Sequence, residues 1–74
     1  LPILEFTVEG YNERAFISMN QQQVQQLEID DGNTIQVVDI DRNKPFAIVL
    51  PINAGNITFY DVNRNTVEYW NNPL

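Results

Sequence analysis

The stretch from Ala15 to Val38 constrains the fold of this chain most, because several kinds of local signal follow one another in it. Arg14 to Met19 alternates, which puts Ala15, Ile17 and Met19 on one face of a strand. Asn20 has the short polar side chain of a helix N-cap, and Gln21 to Leu27 has the length of a two-turn helix. Val24 and Leu27 stand three residues apart, so a narrow apolar stripe packs inward while the glutamines face water. Ile29 then re-enters the core. Asp30-Asp31-Gly32-Asn33 tolerates positive φ and forms a tight turn. A strand, a short helix stoppering one mouth, a glycine turn and a crossing strand are together a way of building a small β-barrel.

The remaining segments extend the same reading. Ile3 to Glu9 alternates, with Leu4, Phe6 and Val8 expected inward and Glu5, Thr7 and Glu9 outward. Gly10 to Glu13 is a turn that makes a hairpin with the Arg14 to Met19 strand. Thr34 to Ile40 and Phe46 to Leu50 are apolar on both faces, as a central strand covered on both sides would be. Asp41 to Pro45 joins them as a charged loop, and Pro51 ends the second because it cannot donate to a ladder. Asn53 to Asn56 is a turn, Ile57 to Tyr60 a strand, Asp61 to Asn65 a turn and Thr66 to Trp70 a last strand, with Asn71 to Leu74 expected to fray. The expectation is a mainly β fold of about six strands and one short helix, forming a six-stranded barrel across residues 1–74 as one domain.

Met19-Asn20, then Val24-Gln25-Gln26-Leu27-Glu28-Ile29, then Asp31-Gly32-Asn33-Thr34-Ile35-Gln36-Val37, and finally Gly55-Asn56-Ile57-Thr58-Phe59 follow one another here. In that order they resemble double-psi β-barrel domains, above all the C-terminal cofactor-binding domain of molybdopterin oxidoreductases. The swapped-hairpin barrels of AbrB-type transcription regulators share the short strand, helix and glycine turn. Glu28 stands where the pattern has glycine and Asn33 where it has a second acid, and only Arg14 supplies a base before the helix. The resemblance implies a barrel whose loop near Asn20 and turn at Gly55-Asn56 would face a ligand.

Chemistry is limited by what is missing. With no His, no Cys, one Ser and one Lys, no nucleophile–base triad and no imidazole or thiolate metal site can be assembled. The acids are expected on turns and outward strand faces, where charged residues normally reside. Asp39-Ile40-Asp41 begins like a Ca²⁺ loop, but Lys44 stands where that loop needs glycine and Leu50 where it needs Glu. Asn56-Ile57-Thr58 fits a glycosylation sequon and reads equally as the entry to a strand. These residues assign no catalytic group, no cofactor and no metal.

Ten acids against four scattered bases give a net charge of −6, with no basic run to track a phosphate backbone. No apolar run approaches the length of a membrane span. Nucleic acid and membrane are therefore not expected as partners. The chain begins at Leu1 without Met, as a processed or trimmed product would. A domain this short buries only about 60% of its unfolded surface and has no disulfide, so barrel closure or association must support it. Asn and Gln outnumber the charged residues, as suits faces covered by neighbours. The uncharged glutamines of the expected helix (Gln22, Gln23, Gln26) and the aromatics Tyr60, Tyr69 and Trp70 are the candidate partner-binding residues. The expected function is a non-enzymatic module acting by protein–protein contact or homo-oligomerisation within a larger assembly, such as a virion accessory or decoration protein. A cofactor-binding barrel is the alternative, and an AbrB-like DNA-binding or antitoxin dimer comes third.

Overall fold

A computed structural model describes residues 2–73 and contains eight strands. β1 (Ile3–Thr7), β2 (Glu13–Ser18), β5 (Phe46–Pro51) and β8 (Tyr69–Pro73) form sheet 1 in the order β5-β2-β1-β8. β3 (Val24–Asp30), β4 (Ile35–Asp39), β6 (Asn56–Asp61) and β7 (Thr66–Val67) form sheet 2 in the order β4-β3-β6-β7. Neighbours are antiparallel except β1 and β8, which run parallel. Only Glu68 separates β7 from β8, so one strand leaves sheet 2 and joins sheet 1 at that residue. This closes one side of a two-layered sandwich, and β4 and β5 are left as free edges.

Both sheets contribute to one core. Ile3 and Phe16 come from sheet 1, and Val24, Leu27, Ile29, Ile57 and Phe59 from sheet 2. Phe16 meets Phe59 edge-to-face with centroids 5.3 Å apart, Phe46 stacks on Phe59 at 5.7 Å, and Tyr69 stands edge-on to Phe16 at 5.2 Å. Such pairs add about 0.5–1.5 kcal/mol each beyond the area they bury. At Gly55 (φ +135°) a Cβ would lie 2.3 Å from the Asp30 carbonyl oxygen, so only glycine lets the β5–β6 connection pass the end of β3.

The architecture corrects several expectations. The helix over Gln21 to Leu27 is absent: residues 20–23 turn, and Val24 opens β3. The β3–β6 register shifts between Val24 and Gln26, leaving an extra residue at Gln25. Because of that bulge Val24, Leu27 and Ile29 are all buried, and a strand acquires the three-residue spacing of a helix stripe. There is no closed barrel, because β4 and β5 do not pair and the Ile40 to Pro45 connection instead carries the chain from one sheet to the other. Those two-sided apolar strands are edges, not central strands.

The alternation in β1 is also inverted. Ile3 and Glu5 face the core, while Leu4 and Phe6 face out. The tail continues as β8 through Pro73; Leu74 lies outside the described residues.

Candidate interaction surface

Two-residue alternation with opposite covering gives the sheets different outer faces. Across sheet 1 the registers align Ala47, Ile17, Leu4 and Trp70 in one row and Val49, Ala15, Phe6 and Asn72 in the next. Glu13 and Pro51 pair in a third row, beside Val8. Most of this outer face is apolar. Nine large apolar side chains are exposed among the described residues, against seven apolar residues in the core. Six of the nine (Val8, Tyr11, Ile17, Met19, Val49 and Trp70) belong to this face or its margins, with Val49 and Trp70 each 58% exposed.

The surface is shaped as well as apolar. An open groove of about 470 Å³ lies between Phe6, Val8, Tyr11, Glu13, Ala15, Ile17 and Val49. A second, of about 290 Å³, continues from Ile17 past Leu4 to Pro2 and Met19. The first lies within the range of volumes that ligands or large anchoring side chains occupy.

Sheet 2 presents a polar outer face. Gln26, Glu28, Thr58, Tyr60 and Thr66 lie together by register. Arg64, held at φ +65° in the β6–β7 turn, lays its guanidinium 4.3 Å over the Tyr60 ring, reaches Glu28 at 3.5 Å and bonds Gln26. Ile35 and Val37 remain exposed along the β4 edge.

Polar groups also enter the interior. Glu5, facing inward, pairs with the neighbouring strand's Arg14. Arg14 also donates to the Tyr69 hydroxyl (3.2 Å) and the Gly55 carbonyl (3.3 Å), and Asn71 donates to the second Glu5 oxygen at 2.9 Å. Burial works against the Arg14 charge, but its hydrogen bond and attraction to Glu5, helped by Tyr69, raise its pKa above the ordinary arginine value. Every buried side-chain nitrogen and oxygen among the described residues has a partner. This is a satisfied structural network.

The six candidate partner-binding residues fall in separate places. Gln22 and Gln23 are exposed in the β2–β3 turn, Gln23 at φ +56°. Gln26 and Tyr60 are cross-strand neighbours under Arg64 on sheet 2. Tyr69 packs in the interior against Phe16 and Phe59. Trp70 alone stands on the outer face of sheet 1, opposite Leu4. Sequence reasoning missed Leu4, Phe6, Ile17, Met19 and Val49 as surface residues. Only Val49 lies in a strand whose two apolar faces gave a signal, read as covering on both sides. Alternation alone put Leu4 and Phe6 inward, and it set Ile17 and Met19 on one face without saying which face is covered.

The loops that the cofactor-binding resemblance would turn toward a ligand make internal contacts. The Asn20 side-chain oxygen accepts from Val24 N–H at 2.7 Å, and its amide donates to the carbonyls of Val24 (3.0 Å) and Asp41 (3.1 Å). Gly55 abuts the Asp30 backbone, and its carbonyl accepts from Arg14. Asp39 and Asp41 lie exposed at the end of β4 and in the following turn, and Asn56 lies exposed at the start of β6. Among the described residues no cluster of three or more acids, His or Cys is placed to hold a metal, and no helix is long and apolar enough to cross a membrane.

In comparisons with protein-family models, curated proteins and solved structures, nothing matches this chain.

Proposed function

We propose that this chain is a non-enzymatic interaction module that works by protein–protein contact within a larger assembly, docking through the outer face of sheet 1. One observation carries the reading: the outward residues Leu4, Phe6, Ala15, Ile17, Ala47 and Val49 of β1, β2 and β5 are all apolar, while the two sheets of this domain pack only on the opposite face. An antiparallel sheet that faces water alternates apolar and polar residues. Apolar rows of this extent, next to polar ones, mark contact sites. On the outer face of sheet 2, β3, β6 and β7 instead present Gln, Glu, Thr and Tyr with Arg64 above them, and exposed apolar side chains are confined there to Ile35 and Val37 of the β4 edge. A decoration-type protein on a virion is the setting the acidic, Lys-poor composition suggests.

The test is the double variant Ile17→Lys/Val49→Lys. Both side chains point away from the core, so the variant keeps its circular dichroism spectrum and melting behaviour. Wild type is expected to run as an oligomer, or as a complex with its native partner, in size-exclusion chromatography with light scattering. The variant is expected to lose that association by roughly tenfold or more, the scale of a hot-spot loss. A monomeric wild type whose partner capture the variant shares would reject the proposal.

A further inference from the structure

The larger groove on this face has a definite charge sign. Phe6, Ala15, Ile17 and Val49 line it, and Tyr11 and Glu13 stand at its edge. Glu13 is exposed and forms no ion pair among the described residues, and Glu9 is exposed in the adjoining β1–β2 turn.

None of the four bases reaches this groove. Arg14 is turned inward onto Glu5, and Arg64 lies on the outer face of sheet 2. Arg42 and Lys44 occupy the turn before β5, which starts opposite Ser18 and reaches Glu13 only at Pro51. At roughly 3.3 Å per residue, the length of a strand separates those two cations from Glu13. The groove is therefore apolar inside and negative at its edge, in a chain of net charge −6. A second copy laid face to face on this groove has no cation to offer there and brings the same sign of charge.

We propose that the groove receives a segment of a different protein, in which an aromatic or branched aliphatic anchor is flanked by Lys or Arg. This rests on the outer face of sheet 1 being the docking surface, and it adds the chemistry of the occupant. Burial of the anchor supplies the affinity. The flanking cations, meeting Glu13 and Glu9, supply orientation and speed of association.

The isotope-labelled full chain is titrated with two synthetic twelve-residue peptides sharing one Trp-Leu-Val centre, one flanked by lysines and the other by glutamates. The Lys-flanked peptide is expected to bind at least about tenfold more tightly, which is about 1.4 kcal/mol, with amide shifts concentrated at Phe6, Tyr11, Ala15 and Val49. Its advantage should shrink between about 0.01 M and 1 M salt, as the Debye length falls from about 30 Å to about 3 Å. Glu13→Lys should remove or reverse the preference.

Equal binding of both peptides, unaffected by Glu13→Lys, overturns the charge assignment and leaves the docking face standing. A preference for the acidic peptide, or no binding of either, also overturns it. So does a wild-type dimer in light scattering that Ile17→Lys/Val49→Lys dissolves, which would place a second copy on the face. The docking face itself is judged separately, by the loss or persistence of association in that double variant.

Discussion

Asn20 does with its side chain what a neighbouring strand does elsewhere. Its amide accepts from the N–H of Val24 and donates to that residue's carbonyl, and its second donor bond reaches Asp41 in the loop before β5. The backbone sits at φ +59°, a conformation Asn tolerates better than most residues. The polar side chain of Asn20 reads in the sequence as a helix N-cap, but no helix follows and the same groups bind the start of β3 and the loop before β5. Asn20→Asp keeps the acceptor, loses both donors and turns a buried carboxylate toward two carbonyls; Asn20→Ala removes every bond. Either variant is expected to lower the unfolding free energy in urea by roughly 2–4 kcal/mol. The Asp variant should regain part of that loss in acid, when protonation restores a donor. Losses below about 1 kcal/mol in both would mean that water substitutes for the amide.

At the level of elements, the β3–β4 hairpin shows which local signals survive folding. Its turn was readable because Asp30, Asp31, Gly32 and Asn33 each suit it, and Gly32 does adopt φ +94°. Asp31 accepts backbone N–H bonds from Thr34 at 2.9 Å and Asn33 at 2.8 Å, and these lower its carboxyl pKa below the ordinary 3.8. A lowered folded pKa means that the ionised group stabilises the hairpin above the unfolded value near 3.9 and ceases to as pH falls through the folded one. Between about pH 5 and pH 2 the wild type should therefore lose more stability than Asp31→Asn, which keeps an acceptor without the charge. Urea unfolding at a series of pH values measures this, and parallel pH curves would refute it. β3 itself was misread as a helix because its bulge at Gln25 breaks the two-residue period on which strand recognition depends.

On the scale of the whole molecule, a thin core and a polar tie share the work of holding two sheets together. Glu5, Arg14, Tyr69 and Asn71 join β1, β2 and β8, and Arg14 reaches across to the Gly55 carbonyl at the entry to β6. Removing Glu5 or Arg14 leaves the other's charge mostly buried and unpaired. Glu5→Ala should lose about 3–5 kcal/mol, enough to unfold much of a domain this small, whereas Glu5→Leu with Arg14→Leu should lose far less. Thermal melts of the single and double variants decide this, and a single variant as stable as wild type would show the pair to be incidental. The opposite faces of the two sheets matter at this scale too: sheet 2 meets solvent mainly with polar side chains, apart from Ile35 and Val37 at its β4 edge, while sheet 1 leaves Ile17, Val49 and Trp70 uncovered.

Local chemistry alone determined where most strands and turns fall, β3 and the end of β8 excepted, since alternation, Gly, Pro and Asp-rich clusters act over a few residues. It also determined that no imidazole or thiolate is available. Only the tertiary structure decided which face of each strand is covered. Period-two alternation says that two faces differ, but Leu4 and Phe6 are as apolar as Ile3. The covered face is the one that carries Glu5, whose partner Arg14 comes within reach only once the β1–β2 register is set. The same holds for β4 and β5: their apolar character is local, but their place at the free edges follows from how the sheets are ordered.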